Sequence, residues 1–234
     1  MKKIFKTFSL LVALATIYTL GLSTAQAQDA ARADSTKSKL MIGIRAGLNA
    51  NYLRIDNHSS PRTVAEGAQA GVFAKYSFND WAAVSLEAAW SQGGARNLAS
   101  NDGANVYLQT NNVQLNPLVQ FKIPILSVYE PYVFAGPSFN LNYLNTAYVN
   151  NMRTGATYAK DATNYTTGLD MGFVVGVGVD FNLRFATLTV DGRYRHGLND
   201  INQVTARNSF LGNASWRSSQ LSLQIGLGFP IGGK

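Results

Sequence analysis

From Leu40 onward, apolar and polar residues alternate with a period of two, and the pattern recurs eight times. That period puts successive side chains on opposite faces of a strand, so each segment reads as a strand with two chemically different sides. The segments fall near Leu40–Tyr52, Ala68–Phe78, Ala82–Gln92, Asn112–Ile123, Pro131–Tyr143, Gly168–Phe181, Ala186–His196 and Ser219–Phe229. The sixth is the most regular. Leu169, Met171, Phe173, Val175, Val177, Val179 and Phe181 share one side, and Gly168, Asp170, Gly172, Gly176, Gly178 and Asp180 share the other.

The connections also alternate. Asn79–Asp80, Asn182–Phe185 and Pro124–Glu130 are short, whereas Arg54–Gly67, Gly93–Thr110, Leu144–Thr167 and Gly197–Ala214 are long and rich in Asn, Ser, Thr and Gly. Short turns at one end and long loops at the other, with an even strand number, are the plan of a bacterial outer-membrane barrel. The expected fold is therefore all-β: an eight-stranded antiparallel up-and-down transmembrane β-barrel with both termini in the periplasm. Mean hydropathy is −0.04, which says little for strands that alternate between lipid and lumen.

A soluble eight-stranded barrel would turn its apolar face inward instead. Two features favour the membrane form. The segments running one way end their apolar face in Tyr52, Trp90, Tyr143 and Tyr194, and those running back end theirs in Phe78, Phe121, Phe181 and Phe229. These make two aromatic girdles of matched parity. The polar face carries many glycines together with Arg45, Lys75, Glu87, Lys122, Asp170, Asp191, Arg193 and Arg195. Glycine weakens a solvated strand but makes room for long side chains inside a narrow barrel. Charges there must pair, so these eight are expected to form a lumen network. Pro117 and Pro137 lie inside segments, and each removes a ladder donor, so a bulge or a missing bond is expected at each.

The chain begins as an exported protein does. Lys2, Lys3 and Lys6 precede an uncharged apolar stretch that ends at Ala25-Gln26-Ala27, the pattern of a secretory signal peptide over residues 1–27. Residues 28–39 read as a flexible periplasmic lead-in and 40–234 as the barrel domain. Without the three leader lysines, 17 basic residues face 13 acidic ones, a net charge of +4. No Lys/Arg cluster remains to suggest nucleic acid as a partner. There is no Cys, hence no disulfide and no lipid-anchored amino terminus.

Several blocks resemble a known family. "IGIRAGLNANYL", "GAQAGVFAKYSFNDWAAVSLEAAWSQGGAR", "VQLNPLVQFKIP", "YVFAGPSFNLNYL", "GFVVGVGVDF" and "DGRYRHGLNDI" are similar to the PorT-like outer-membrane β-barrel proteins. The resemblance covers almost the whole mature chain. That family often carries prolines in comparable central strands, as at Leu115–Leu118 and Ala135–Pro137. It implies architecture more than task, since one member is linked to protein secretion and most have no assigned role.

Little in the sequence offers chemistry. The chain has two His, His58 and His196, and no Cys, which makes no transition-metal motif; no cofactor is expected. Lipid-modifying barrels place His with Ser and a carboxylate near the outer rim, and His196 occupies that region, but Gly197-Leu198 follow it in place of a His-x-Ser pattern. An eight-stranded lumen is too narrow for a general pore. The expectation is a non-enzymatic outer-membrane protein with a closed, charge-paired lumen, acting through surface loops or as an envelope component. The alternatives are an accessory subunit of a secretion apparatus, a small pore and a lipid-modifying enzyme. Expected partners are outer-membrane lipid and lipopolysaccharide, the barrel-assembly machinery during insertion, and an envelope protein. Loop tyrosines Tyr107, Tyr148, Tyr158 and Tyr165 offer contact area.

The last segment, "LSLQIGLGF", resembles the carboxy-terminal signal read by the barrel-assembly machinery, although Pro230–Lys234 follow it. Phe229→Ala should then reduce the outer-membrane, heat-modifiable form in gel migration. Assembly at the wild-type level would show that Phe229 is no part of the signal.

Overall fold

The computed structural model describes residues 39–55, 64–99, 104–123, 128–151, 156–161, 163, 167–183, 185–201 and 215–231. The expected signal peptide and all but the last residue of the expected lead-in lie outside these, as do His58 and Tyr165. The described chain forms nine strands: β1 (Leu40–Ile55), β2 (Ala65–Ser77), β3 (Ala82–Ala99), β4 (Ala104–Lys122), β5 (Tyr129–Asn151), β6 (Thr157–Asp161), β7 (Leu169–Asn182), β8 (Thr187–Gly197) and β9 (Trp216–Ile231).

Pairing runs β4-β3-β2-β1-β9-β8-β7-β5-β6, and a further β4–β5 pairing joins the two arms. Eight strands thus close a ring in which each has two antiparallel neighbours. The ninth, β6, lies outside that ring and pairs with β5 alone, from Thr146↔Asp161 to Asn150↔Thr157. At one end the turns are tight. Asn79 Oδ1 accepts from the amides of Trp81 (3.1 Å) and Ala82 (2.7 Å), a side chain standing in for a backbone turn. Leu183 donates to the Ala186 carbonyl at 2.8 Å between β7 and β8.

The apolar parity faces out. Ile44 is 61% exposed, Leu48 72% and Val177 62%, whereas inward positions such as Arg45, Asn49, Val174 and Asp180 are buried. A belt of bare Val, Leu and Ile around the whole ring suits lipid and not water. The soluble-barrel alternative, with its apolar face inside, is thereby excluded.

Pro117 and Pro137 stand directly opposite each other. The β4–β5 register runs through Leu115↔Phe139 and resumes in the same frame at Val119↔Ala135, with no ladder between. Two separate prolines would interrupt the wall twice. Opposed, they share one gap, and no bulge is needed there.

Three strands are longer than their alternation suggests. β3, β4 and β5 continue past the aromatic positions Trp90 and Tyr143, so the expected long connections at Gly93–Thr110 and Leu144–Thr167 are largely strand. Two irregularities hid this. A register shift at Asn111/Asn112 leaves one extra residue in β5, which moves the outward set from odd to even positions beyond Tyr143. Gly94, at φ 142°, lies just before a second shift at Ala95/Leu98. With β6 these ends build a four-stranded sheet beyond the apolar belt. After β6, the Thr163 hydroxyl and amide bond the Asp161 carboxylate (amide 2.9 Å) and hold it below the usual carboxylate range.

Giving both proline positions a backbone donor should mend the gap. Two net hydrogen bonds of about 0.5–1.5 kcal/mol each predict that Pro117→Val/Pro137→Val stabilises the barrel by about 1–3 kcal/mol. Urea unfolding in lipid vesicles would show this as a higher midpoint, and an unchanged or lower midpoint would contradict it.

Candidate functional site

Inside the ring, β1, β3 and β8 bring four charges together. Arg45 Nη1 lies 2.5 Å from Glu87 Oε1 and 3.6 Å from Asp191 Oδ2. Arg193 lies 2.6 Å from Glu87 and 2.7 Å from Asp191. Two arginines and two carboxylates therefore alternate in a closed ring, each cation touching both anions. Glu87 is 1% exposed and Asp191 2%. In such a setting a lone charge would be costly, and mutual pairing is what makes the burial tolerable.

The other four residues of the expected network pair elsewhere. Lys75 bonds Asp180 across the lumen, from β2 to β7. Lys122 meets Glu130 at 3.3 Å, which Asn182 also bonds at 3.0 Å. Arg195 binds Asp170 Oδ2 at 3.0 Å, with Ser138 and Ser218 as further partners. Two of these anions, Asp180 and Glu130, are not among the eight residues singled out from sequence. Asp180 had a visible signal, its polar-face parity. Glu130 had none, because it falls in a segment read as a connection and is in fact the second residue of β5.

Aromatic rings are the larger surprise within the lumen. Phe73, Tyr132 and Phe134 are inward and only 3–4% exposed. Arg45 lies over Phe73 with 4.8 Å to the ring centre, Arg193 over Phe134 at 4.9 Å, and Lys75 over Tyr132 at 5.7 Å. These three cations are thus each held between carboxylate and a ring face. The glycines explain how rings fit. A Cβ on Gly43 would stand 2.6 Å from the Phe73 ring, and one on Gly178 would stand 2.5 Å from Tyr132. The room they leave is taken by rings at least as much as by long charged side chains, the occupants first expected. Leu118 and Val174 join Tyr132 and Phe134 in a small apolar cluster of the lumen.

Toward the long-loop end the lumen turns polar. A cavity of about 50 Å³ lies among Asn51, Gln114, Asn140, Asp170, Arg195 and Gln220, space for no more than a few waters. Among the described residues, no group of His, Cys, Asp and Glu is placed to hold a metal ion.

On the outer face, Phe78, Trp90, Phe121, Tyr143 and Phe229 are exposed and Tyr52, Phe181 and Tyr194 half-buried. His196 pairs in register with Ser219, but its Nδ1 faces the Tyr194 hydroxyl at 3.2 Å. The charges acting on its ring are those of Arg54, Arg217 and Arg195, all positive. A His–Ser pair without a carboxylate to orient the imidazole lacks one member of a hydrolytic triad.

The family model for outer membrane protein beta-barrel domains matches residues 25–203. No curated protein is similar to the chain. Among solved structures, OprG of Pseudomonas aeruginosa aligns at 17% identity and a TM-score of 0.46, covering 82% of this chain and 96% of that one. Ail, the attachment invasion locus protein of Yersinia pestis, aligns at 14% and 0.42, covering 81% and 98%. Neisserial surface protein A aligns at 16% and 0.44, covering 81% and 97%.

Removing one member of the four-charge ring should cost far more than removing all four. Glu87→Ala, which strands two buried arginines, should lower stability by about 3–5 kcal/mol. Apolar replacement of Arg45, Glu87, Asp191 and Arg193 together should lose less, because no charge is left unpaired. Urea titration of the two variants in vesicles orders them; the reverse order would contradict the pairing argument.

Proposed function

The chain belongs to the outer membrane protein beta-barrel domain family and resides in the outer membrane, and on that footing we propose that its barrel is a non-enzymatic scaffold for the sheet that β3, β4, β5 and β6 raise beyond the membrane. The observation that carries this reading is what the sheet displays. On its outward face Tyr107 and Tyr148 stack with ring centres 5.8 Å apart, and the Arg96 guanidinium lies over Tyr107 at 5.5 Å. Tyr148 sits five residues past Tyr143, about 16 Å further along the strand. On the opposite face Leu108 and Val149 are buried, which gives the extension packing of its own.

A pair of stacked rings, one exposed and one half-buried, with a cation above is the composition that protein contact surfaces favour. It is held on rigid strands, where a binding group loses little entropy on association. Inside, the charges are mutually paired and the polar cavity toward the long-loop end measures only about 50 Å³, which supports a structural lumen network and a closed channel. The PorT-like resemblance is compatible with this scaffold role and gives the secretion reading its motive.

A photo-crosslinking residue at position 148, activated in intact cells, should capture a partner at the cell surface, and Tyr107→Ala/Arg96→Ala should abolish the capture. Capture of a secretion-machine subunit, joined to a secretion defect on deletion of the gene, would replace this reading with the accessory role. No crosslinked product in a folded population would refute the surface role. Purified protein in planar bilayers should conduct no steady nanosiemens-scale current; channels of that size would overturn the closed lumen.

A further inference from the structure

Beyond the tyrosines of the outer girdle, the β1–β9–β8 face carries charge that its own fold does not balance. Arg54 of β1 and Arg217 of β9 are directly opposed in register. Arg54 lies two residues past Tyr52, so it shares the outward parity, about 7 Å further along the strand. Arg217 is exposed. Like charges facing each other across a ladder destabilise it, and among the described residues neither arginine has a carboxylate partner. Arg54 reaches across β9 to donate Nη2 to the Gly197 carbonyl at 2.7 Å, which fixes the guanidinium above His196. Its Nε is buried with no hydrogen-bond partner among the described residues. The site thus combines two adjacent cations without an anion, an imidazole and a buried guanidinium nitrogen that has no partner among the described residues. All of it lies just above the aromatic girdle, at the depth of the outer headgroups.

We propose that this cluster is a phosphate site for a phosphorylated glycolipid of the outer leaflet. A phosphate between Arg54 and Arg217 would turn a repulsive pair into two charge-assisted contacts, and Arg54 Nε and the His196 ring would supply further donors. The rest of the headgroup would lie along Tyr52 and Tyr194, with its acyl chains against Leu221 and Leu223, the next outward residues of β9. The assignment rests on the membrane placement and the register, and is independent of the surface role of the β3–β6 sheet.

The test uses the full-length protein purified in detergent, with bis-phosphorylated lipid A as the probe and native mass spectrometry as the readout. The wild type should retain lipid A. Arg54→Gln and Arg217→Gln should each cut retention by about tenfold, the value of one hydrogen bond to a charged group. Both variants should keep heat-modifiable migration, since neither residue belongs to the lumen network. Fully dephosphorylated lipid A should be lost from the wild type. Equal retention by the folded variants, or of the dephosphorylated lipid, would overturn the site. Equal retention of phosphatidylglycerol would overturn the assignment to a glycolipid. Release of fatty acid from lipid A would overturn it in favour of catalysis at His196. Where a Gln variant fails to fold, Arg54→Lys and Arg217→Lys replace it, and they should retain lipid A at an intermediate level, since lysine keeps the charge and loses the guanidinium fork; wild-type retention would overturn the guanidinium–phosphate contact.

Discussion

Hydrocarbon offers a backbone amide no partner. Every N–H and C=O of a spanning segment must be satisfied within the protein, and for strands that requires a closed ring. The pairing of β4 with β5 is what completes it. Once the ring is closed, the pleat sends alternate residues outward and inward, and the two surroundings have opposite demands. The outward set has only to be apolar. The inward set has to fill a narrow tube, satisfy every polar group it contains and balance its charge. The opposed prolines show how strictly the first demand is met. Two residues that cannot donate are placed so that each faces the other, and the wall loses its ladder once instead of twice.

The interior is an inverted core. In a soluble domain apolar side chains meet at the centre. Here the centre is a ring of two arginines and two carboxylates whose charges cancel. Phe73, Tyr132 and Phe134 line it and present ring faces to the cations. Glycines on facing strands are part of the same packing problem. A lumen of fixed radius holds either a ring or a Cβ at a given spot, so Gly43 and Gly178 are small because Phe73 and Tyr132 are large. This tube is filled by complementary residues from several strands, and replacing any one of them disturbs partners far away in sequence.

How much of this could be read from sequence depended on whether the information was local. Parity is local, and it gave the eight wall strands, their directions and the side that faces lipid. Pairing is not local. Asp180 sat on the correct face, but nothing in its neighbourhood revealed that Lys75, a hundred residues earlier, would reach it across the lumen. Phe73 interrupts the polar parity of its segment, and read alone it is only an imperfection in the pattern. The bulge beyond Tyr143 defeated local reading most directly. One extra residue in β5 exchanges inward and outward positions, so a strand that continues for eight more residues looks like a polar loop. The sheet that β6 completes was hidden for that reason, and so was the common face of Tyr107 and Tyr148.

The distribution of unpaired charge separates scaffold from working surface. A charge that the fold needs is placed where the fold can pair it, as Arg45 and Arg193 are. Arg54 and Arg217 differ, because their strands set two positive side chains against each other at the membrane edge and supply no anion. No requirement of barrel closure calls for that pair, since the ladder between β1 and β9 would form equally well with neutral residues there. The same holds for Arg96 over Tyr107, which is itself stacked on Tyr148, on the sheet beyond the apolar belt. Neither arrangement is explained by the demands that shape the wall and the lumen. Both become reasonable once a negatively charged headgroup at one place, and a macromolecular surface at the other, are taken as the partners that complete them.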